Sequence, residues 1–178
     1  MKSVLAIIDV QKYFINEYTQ PLPGKIARFL EKNANKFDHI IFFKFQNSHK
    51  ANWFKIIGWE NMVNEKETEI APELAHFTTD ALVFTKVGAF SIFRVNNFIS
   101  LLKNEKIQMT YICGTDTDAC IYVSVMEAFE RGYEIKLIED LTSTHHGSNY
   151  HKNAIDAIKK NLSEKVLITS DSFKTELV

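Results

Sequence analysis

Three residues of this chain have side chains suited to acyl transfer: Asp9, Lys86 and Cys120. A thiol is a potent nucleophile once it loses its proton. A carboxylate can take that proton and later return it to a leaving amine, acting as base and then as acid. An ammonium nearby favours both the carboxylate and the thiolate. Together they would break a carbon–nitrogen bond through a thioester, which water then hydrolyses. Asp116 and Asp118 oppose a thiolate unless their carboxylates point away. No histidine holds a position comparable to Asp9 or Lys86, so a thiol–imidazole pair is not favoured.

The elements around these residues explain why the three belong together. Cys120 follows an apolar, β-favouring run, 109–113, that Gly114 breaks. Thr117 or Asp118 is expected to cap a helix over 119–129, which puts Cys120 in its first turn. The partial positive charge there lowers a thiol pKa. Asp9 ends the apolar run 3–8, and Lys86 ends a third strand over 80–85. Further strands are expected at 39–45, 133–138 and 165–168, with helices at 24–35, 95–103 and 149–161. Strands that alternate with helices or long crossovers predict a three-layer, doubly wound α/β fold, with six mostly parallel strands and helices on both faces. In such sheets, sites form beyond the carboxyl ends of the strands. Asp9, Lys86 and Cys120 all stand at that rim.

Composition narrows the alternatives. A length of 178 residues fits one domain over 1–178. A net charge of −1 offers no electrostatic basis for binding nucleic acid or an anionic membrane. The first apolar run is interrupted at Asp9, too early for a signal segment or a membrane span, so a cytoplasmic location is expected. Cys113, mid-strand, reads as buried and inert, and a disulfide to Cys120 is not expected across the strand end. The segment 46–79 has weak patterning. Its aromatic cluster around Trp53 and Trp59 reads as a lid, a subunit contact or a satellite core.

The ordered set Ile7-Ile8-Asp9-Val10-Gln11, Val83-Phe84-Thr85-Lys86 with Ala89-Phe90, and Gly114-Thr115-Asp116-Thr117-Asp118-Ala119-Cys120 resembles the isochorismatase-like cysteine hydrolases. These include nicotinamidase and N-carbamoylsarcosine amidase. The stretch 128–133 and Glu139-Asp140 extend the likeness over nearly the whole chain. The resemblance implies Asp9, Lys86 and Cys120 as a catalytic triad, with a cis peptide between Thr115 and Asp116. It further implies an oxyanion hole made by the backbone N–H groups of Asp116 and Cys120. A substrate pocket bordered by Gln11, Phe14, Phe90, Trp53 and Thr115 follows, as does a homo-oligomer, either dimer or tetramer.

Two departures from the family pattern shape the expected activity. The nicotinamidase branch carries an Asp-x-His metal pair after its second strand, where this chain reads Gln46-Asn47-Ser48-His49-Lys50. His49 and His76 then read as surface histidines, and no metal or other cofactor is expected. Adjacent residues rarely ligate one ion, so His145 and His146 read as polar loop groups near substrate or a subunit interface. True isochorismatases act on a vinyl ether and typically lack the cysteine. The expected function is therefore cleavage of a small amide, ureido or carbamoyl compound. The rivals are a catalytically idle binding or regulatory member of the fold, an isochorismatase-type hydrolase, and a redox thiol protein, for which Cys113 is badly placed.

Overall fold

The computed structural model describes residues 1–174. Six parallel strands form one sheet: β1 (Ser3–Ile8), β2 (His39–Gln46), β3 (Leu82–Val87), β4 (Met109–Gly114), β5 (Glu134–Thr142) and β6 (Leu167–Ile168). Their spatial order is β3-β2-β1-β4-β5-β6. The helices are α1 (Leu22–Asn33), α2 (Asn96–Asn104), α3 (Tyr122–Glu130) and α4 (Ser148–Asn161).

Alternation along β1 builds two cores. Val4, Ala6 and Ile8 pack with apolar residues of α2, α3 and α4 on one face. Leu5 and Ile7 pack with α1 and the 3₁₀ turn Pro72–Thr78 on the other. Every residue of β1 is buried, as expected of a central parallel strand covered on both sides. A third, smaller cluster joins Phe14, Phe45 and Met62 to Trp53 and Trp59. The aromatic segment is thus a satellite core, although its sequence has no helical or strand period. Among the described residues, no helix is long and apolar enough to cross a membrane.

Two boundaries differ from the sequence-based expectation. The third strand starts two residues later and includes Lys86 and Val87. It forms the sheet edge, with Leu82, Val83 and Val87 exposed. The helix carrying Cys120 begins with a π-helical turn, Thr117–Ile121, rather than a capped α-turn. Asp116 stands at the cap and makes no side-chain cap bond. Its carbonyl instead accepts from the N–H groups of Ala119 and Ile121 at 3.1 and 3.0 Å.

The strand order reverses direction at β1 and β4, which lie side by side at the centre. A crevice opens at such a switch point, beyond the carboxyl ends of the two strands. Gly114 permits the closest approach there. It pairs with Ile8 and has φ 120°, and a Cβ at this position would stand 2.1 Å from the Ile8 carbonyl oxygen. Only glycine fits.

Candidate active site

Asp9, Lys86 and Cys120 meet in that crevice. Asp9 follows β1 with φ 53°, a left-handed conformation that is costly for a non-glycine residue. Three bonds hold it there. Its N–H donates to the Phe43 carbonyl at 2.9 Å, and its own carbonyl accepts from the Gln11 N–H at 2.7 Å and the Thr115 hydroxyl at 2.8 Å. Lys86 arrives from β3. Its ammonium donates to Asp9 Oδ2 at 2.8 Å and to the Ala89 and Phe90 carbonyls, both at 3.1 Å. Cys120 Sγ lies 3.6 Å from the same nitrogen. The Thr115–Asp116 peptide between β4 and the π-helical turn is cis.

The charges of this trio are mutually dependent. Lys86 and Asp9 are both buried, with 0% and 1% of their side chains exposed, which a charged pair tolerates only when well partnered. Burial raises the Asp9 carboxyl above the usual range, and the Lys86 charge only partly offsets it. Burial works against the Lys86 charge too, but Asp9 and Cys120 outweigh it and keep the ammonium protonated. The Cys120 thiol is pushed well up, first by burial and then by the Asp9 charge, against the pull of Lys86. The net rise is opposite to the lowering expected from its helix position. These shifts favour a protonated thiol beside a charged ammonium, with an Asp9 carboxyl more ready than usual to hold a proton. Asp9 Oδ1 is buried and makes no hydrogen bond of ordinary geometry among the described residues, and the Cys120 thiol is the group besides Lys86 whose hydrogen bonding acts on this carboxyl.

A cavity of about 380 Å³ opens over Cys120. Phe14, Trp53 and Phe90 line it. Gln11 and Thr115 do not, and here the expectation is corrected. Gln11 is fully buried and ties strands together: its Oε1 accepts from the Phe45 N–H at 2.7 Å, and its Nε2 donates to the Phe45 and Thr68 carbonyls at 3.0 and 2.8 Å. Thr115 is equally buried, with its hydroxyl spent on Asp9. Both residues shape the Asp9 turn from behind.

Other residues of the wall lie outside the pocket that the likeness implies, although Trp59 belongs to the aromatic cluster that the sequence singles out. Tyr13, Phe45, Ile57 and Trp59 complete its aromatic and apolar side. Tyr13 is anchored there by the Trp59 indole N–H and the Asn61 amide, which donate to its hydroxyl at 3.2 and 2.9 Å. The polar side consists of Asp116, Asp118, His145 and His146. Asp116 Oδ2 pairs with His145 Nδ1 at 2.7 Å, and Oδ1 accepts the His145 N–H at 3.0 Å. Asp118 Oδ2 pairs with His146 Nδ1 at 2.8 Å. The Asp116 bond raises the His145 pKa against the effect of burial. Burial works against the Asp118 charge, but hydrogen bonds from Thr144 and His146 hold its carboxyl below the usual range. The two carboxylates that threatened the thiolate are thus engaged by histidines, although Asp116 still adds to the rise in the thiol pKa. The sequence places Asp116 and Asp118 beside the thiol and His145 and His146 near substrate or an interface, but not their pairing.

The sequence matches the family model described as isochorismatase domain over residues 3–172. Comparison with the curated proteins gives no match. Among solved structures, the chain resembles an isochorismatase-like hydrolase from Alkaliphilus metalliredigens, with TM-score 0.84, 15% identity and all of both chains covered. It also resembles nicotinamidase from Bacillus subtilis, with TM-score 0.78, 15% identity, and 90% of this chain and 96% of that one covered. N-carbamoylsarcosine amidase from Thermoplasma acidophilum gives TM-score 0.77 and 19% identity, covering 96% of this chain and 98% of that one. At these identities the structural likenesses establish a shared fold.

Proposed function

Since the chain belongs to the isochorismatase family, we propose that it is a cysteine hydrolase that cleaves a C–N bond of a small amide, ureido or carbamoyl compound. One observation carries this reading: a single buried ammonium lies 2.8 Å from a carboxylate and 3.6 Å from a thiol sulfur, beneath a cavity of about 380 Å³. Two of the structural neighbours, nicotinamidase and N-carbamoylsarcosine amidase, are amidases by name, which supports this reading.

The chemistry follows from the charges. As Cys120 Sγ attacks the substrate carbonyl carbon, its proton passes to Asp9. The trio changes from carboxylate, ammonium and thiol to acid, ammonium and sulfur bonded to carbon. The carbonyl oxygen takes up the negative charge, and the N–H groups of Asp116 and Cys120 stabilise it. The Asp116 N–H is uncommitted to any group of the protein among the described residues. Collapse of the adduct breaks the C–N bond, and Asp9 delivers its proton to the departing nitrogen. Asp9 then deprotonates the water that attacks the thioester, and returns that proton to sulfur. A carboxyl whose pKa is raised by burial suits a group that must carry a proton and release it in each half-reaction. Lys86 keeps its charge throughout.

The aromatic wall favours a flat or apolar acyl group of modest size. Action in the cytoplasm as a homo-oligomer is part of the same proposal. The exposed Leu82, Val83 and Val87 on edge strand β3 support association. The deciding experiment is intact-protein mass spectrometry after incubation with pooled small amides and ureides. We expect an acyl adduct that maps to Cys120 and is absent from Cys120→Ala. Tight binding of an amide with neither adduct nor product would instead identify an idle binding member of the fold.

A further inference from the structure

The loop after β5 brings two adjacent imidazoles to the same side. Neighbouring side chains in an extended chain point apart, but residues 144–147 turn, with the Gly147 N–H donating to the Thr144 carbonyl at 3.4 Å. Gly147 has φ 116°, which lets the chain reverse there. The His145 and His146 rings end with centroids 4.1 Å apart. Each has its Nδ1 held by a different carboxylate, Asp116 or Asp118. The proton that His145 Nδ1 shares with Asp116 Oδ2 gives way when an ion takes its place between them, whereas at His146 an Nδ1–H that donates to Asp118 leaves the lone pair on Nε2. This is how a second carboxylate commonly orients a histidine that ligates a metal.

One donor atom from each of Asp116, His145 and His146 lies within 4.8 Å of the others. We propose that these three residues bind a divalent first-row transition ion of the zinc class, with Asp118 orienting His146 from outside. Two imidazoles and one carboxylate form a donor set suited to such an ion. Ligand bonds of about 2.0–2.2 Å require the donors to draw together. The movement falls on His146, whose side chain is 44% exposed, because Asp116 is 7% exposed and its Oδ1 is held by the His145 backbone N–H. Asp116, His145 and His146 all line the cavity that also holds Cys120.

The histidines expected from the nicotinamidase pattern do not supply this chemistry. Asn47 stands in place of the carboxylate and is consumed by the Trp59 and Asn61 carbonyls, at 2.8 and 3.1 Å. His49 packs on Phe54 and His76 on Phe77, and neither joins a donor cluster among the described residues. The donors lie on the opposite, polar wall. This inference does not depend on the cysteine chemistry, and its test removes the thiol.

The test uses the full chain carrying Cys120→Ser, stripped with chelator and titrated with Zn²⁺ alone against a chromophoric chelator. Metal content is measured after desalting. We expect one ion per chain, with affinity reduced about tenfold or more by His146→Ala and by His145→Ala, and less by Asp118→Asn. His49→Ala and His76→Ala should bind as the parent does. Co²⁺ should give visible bands of nitrogen and oxygen ligation. His146 is half exposed, so its replacement leaves the fold intact and a loss of binding reports ligation. No uptake, or uptake that is indifferent to both His145→Ala and His146→Ala, overturns the proposal. Either result leaves the Cys120 adduct experiment unaffected.

Discussion

Cys113 and Cys120 are separated by one turn, yet they occupy opposite faces of the sheet. Cys113 packs among Leu5, Ile7 and Tyr111 on one face, and Cys120 among Ile8, Ile121 and Val125 on the other. Both are buried and both have raised pKa values, for the same leading reason: burial penalises the thiolate. Their difference lies in what else is buried with them. Among the described residues, the charge that acts on Cys113 is that of Asp140, and it raises the pKa further. Cys120 has Lys86 at 3.6 Å to stabilise a thiolate and Asp9 to accept the proton. Burial by itself silences a thiol. Burial together with an acceptor and a cation makes its reactivity conditional on a proton transfer that substrate can trigger.

That contrast can be broken first at the acceptor. Asp9→Asn keeps the shape and removes the base, and turnover should fall by roughly 10²–10⁴, measured as kcat/KM on the substrate found by adduct trapping. Turnover within a few-fold of the parent would place the base elsewhere. Next comes the cation. Lys86→Met leaves a buried carboxylate without its partner and should cost about 3–5 kcal/mol in urea unfolding. The double change Asp9→Asn with Lys86→Met should recover part of that loss. If Lys86→Met is neutral, the pair is not the buried unit described here.

Chemical labelling then compares the two thiols directly. In native protein at neutral pH, iodoacetamide should modify Cys120 to completion before Cys113 reacts detectably, as read by peptide mass spectrometry. Cys113 reacting first would invert the assignment. The smallest and sharpest effect concerns pH. The Cys120 pKa is raised, so its alkylation rate should keep climbing with pH beyond the point where a free thiol levels off. Asp9→Asn removes the second of the two main causes of that rise, leaving burial. The thiolate fraction at neutral pH should therefore increase and labelling should quicken, even as turnover is lost. Slower labelling in Asp9→Asn would show that Asp9 does not oppose the thiolate charge.

The two walls of the cavity show how far reading the chain extends. Asp9 and Gly114 are visible because each interrupts an apolar run, and such interruptions mark strand ends. The aromatic wall was half legible. Its residues stand out by type, but segment 46–79 has no period, since a π-helical turn and short 3₁₀ turns present no repeating face. The polar wall is legible only in part: His145 and His146 read as polar loop groups near substrate or an interface and do line the cavity, but nothing local to residues 145 and 146 announces that the loop turns both rings toward Asp116 and Asp118.

The sequence alone determined the parallel α/β architecture and the placement of a carboxylate, an ammonium and a thiol beyond three strand ends. Hydrophobic period and strand-breaking residues are local properties, and they survive without coordinates. Tertiary structure decided which way side chains face and what they are buried with. It turned Gln11 and Thr115 into struts behind Asp9, brought the two histidines into the cavity, and held the Cys120 thiol protonated. Desolvation and charge coupling are sums over neighbours distant in the chain, so only the assembled fold sets their outcome.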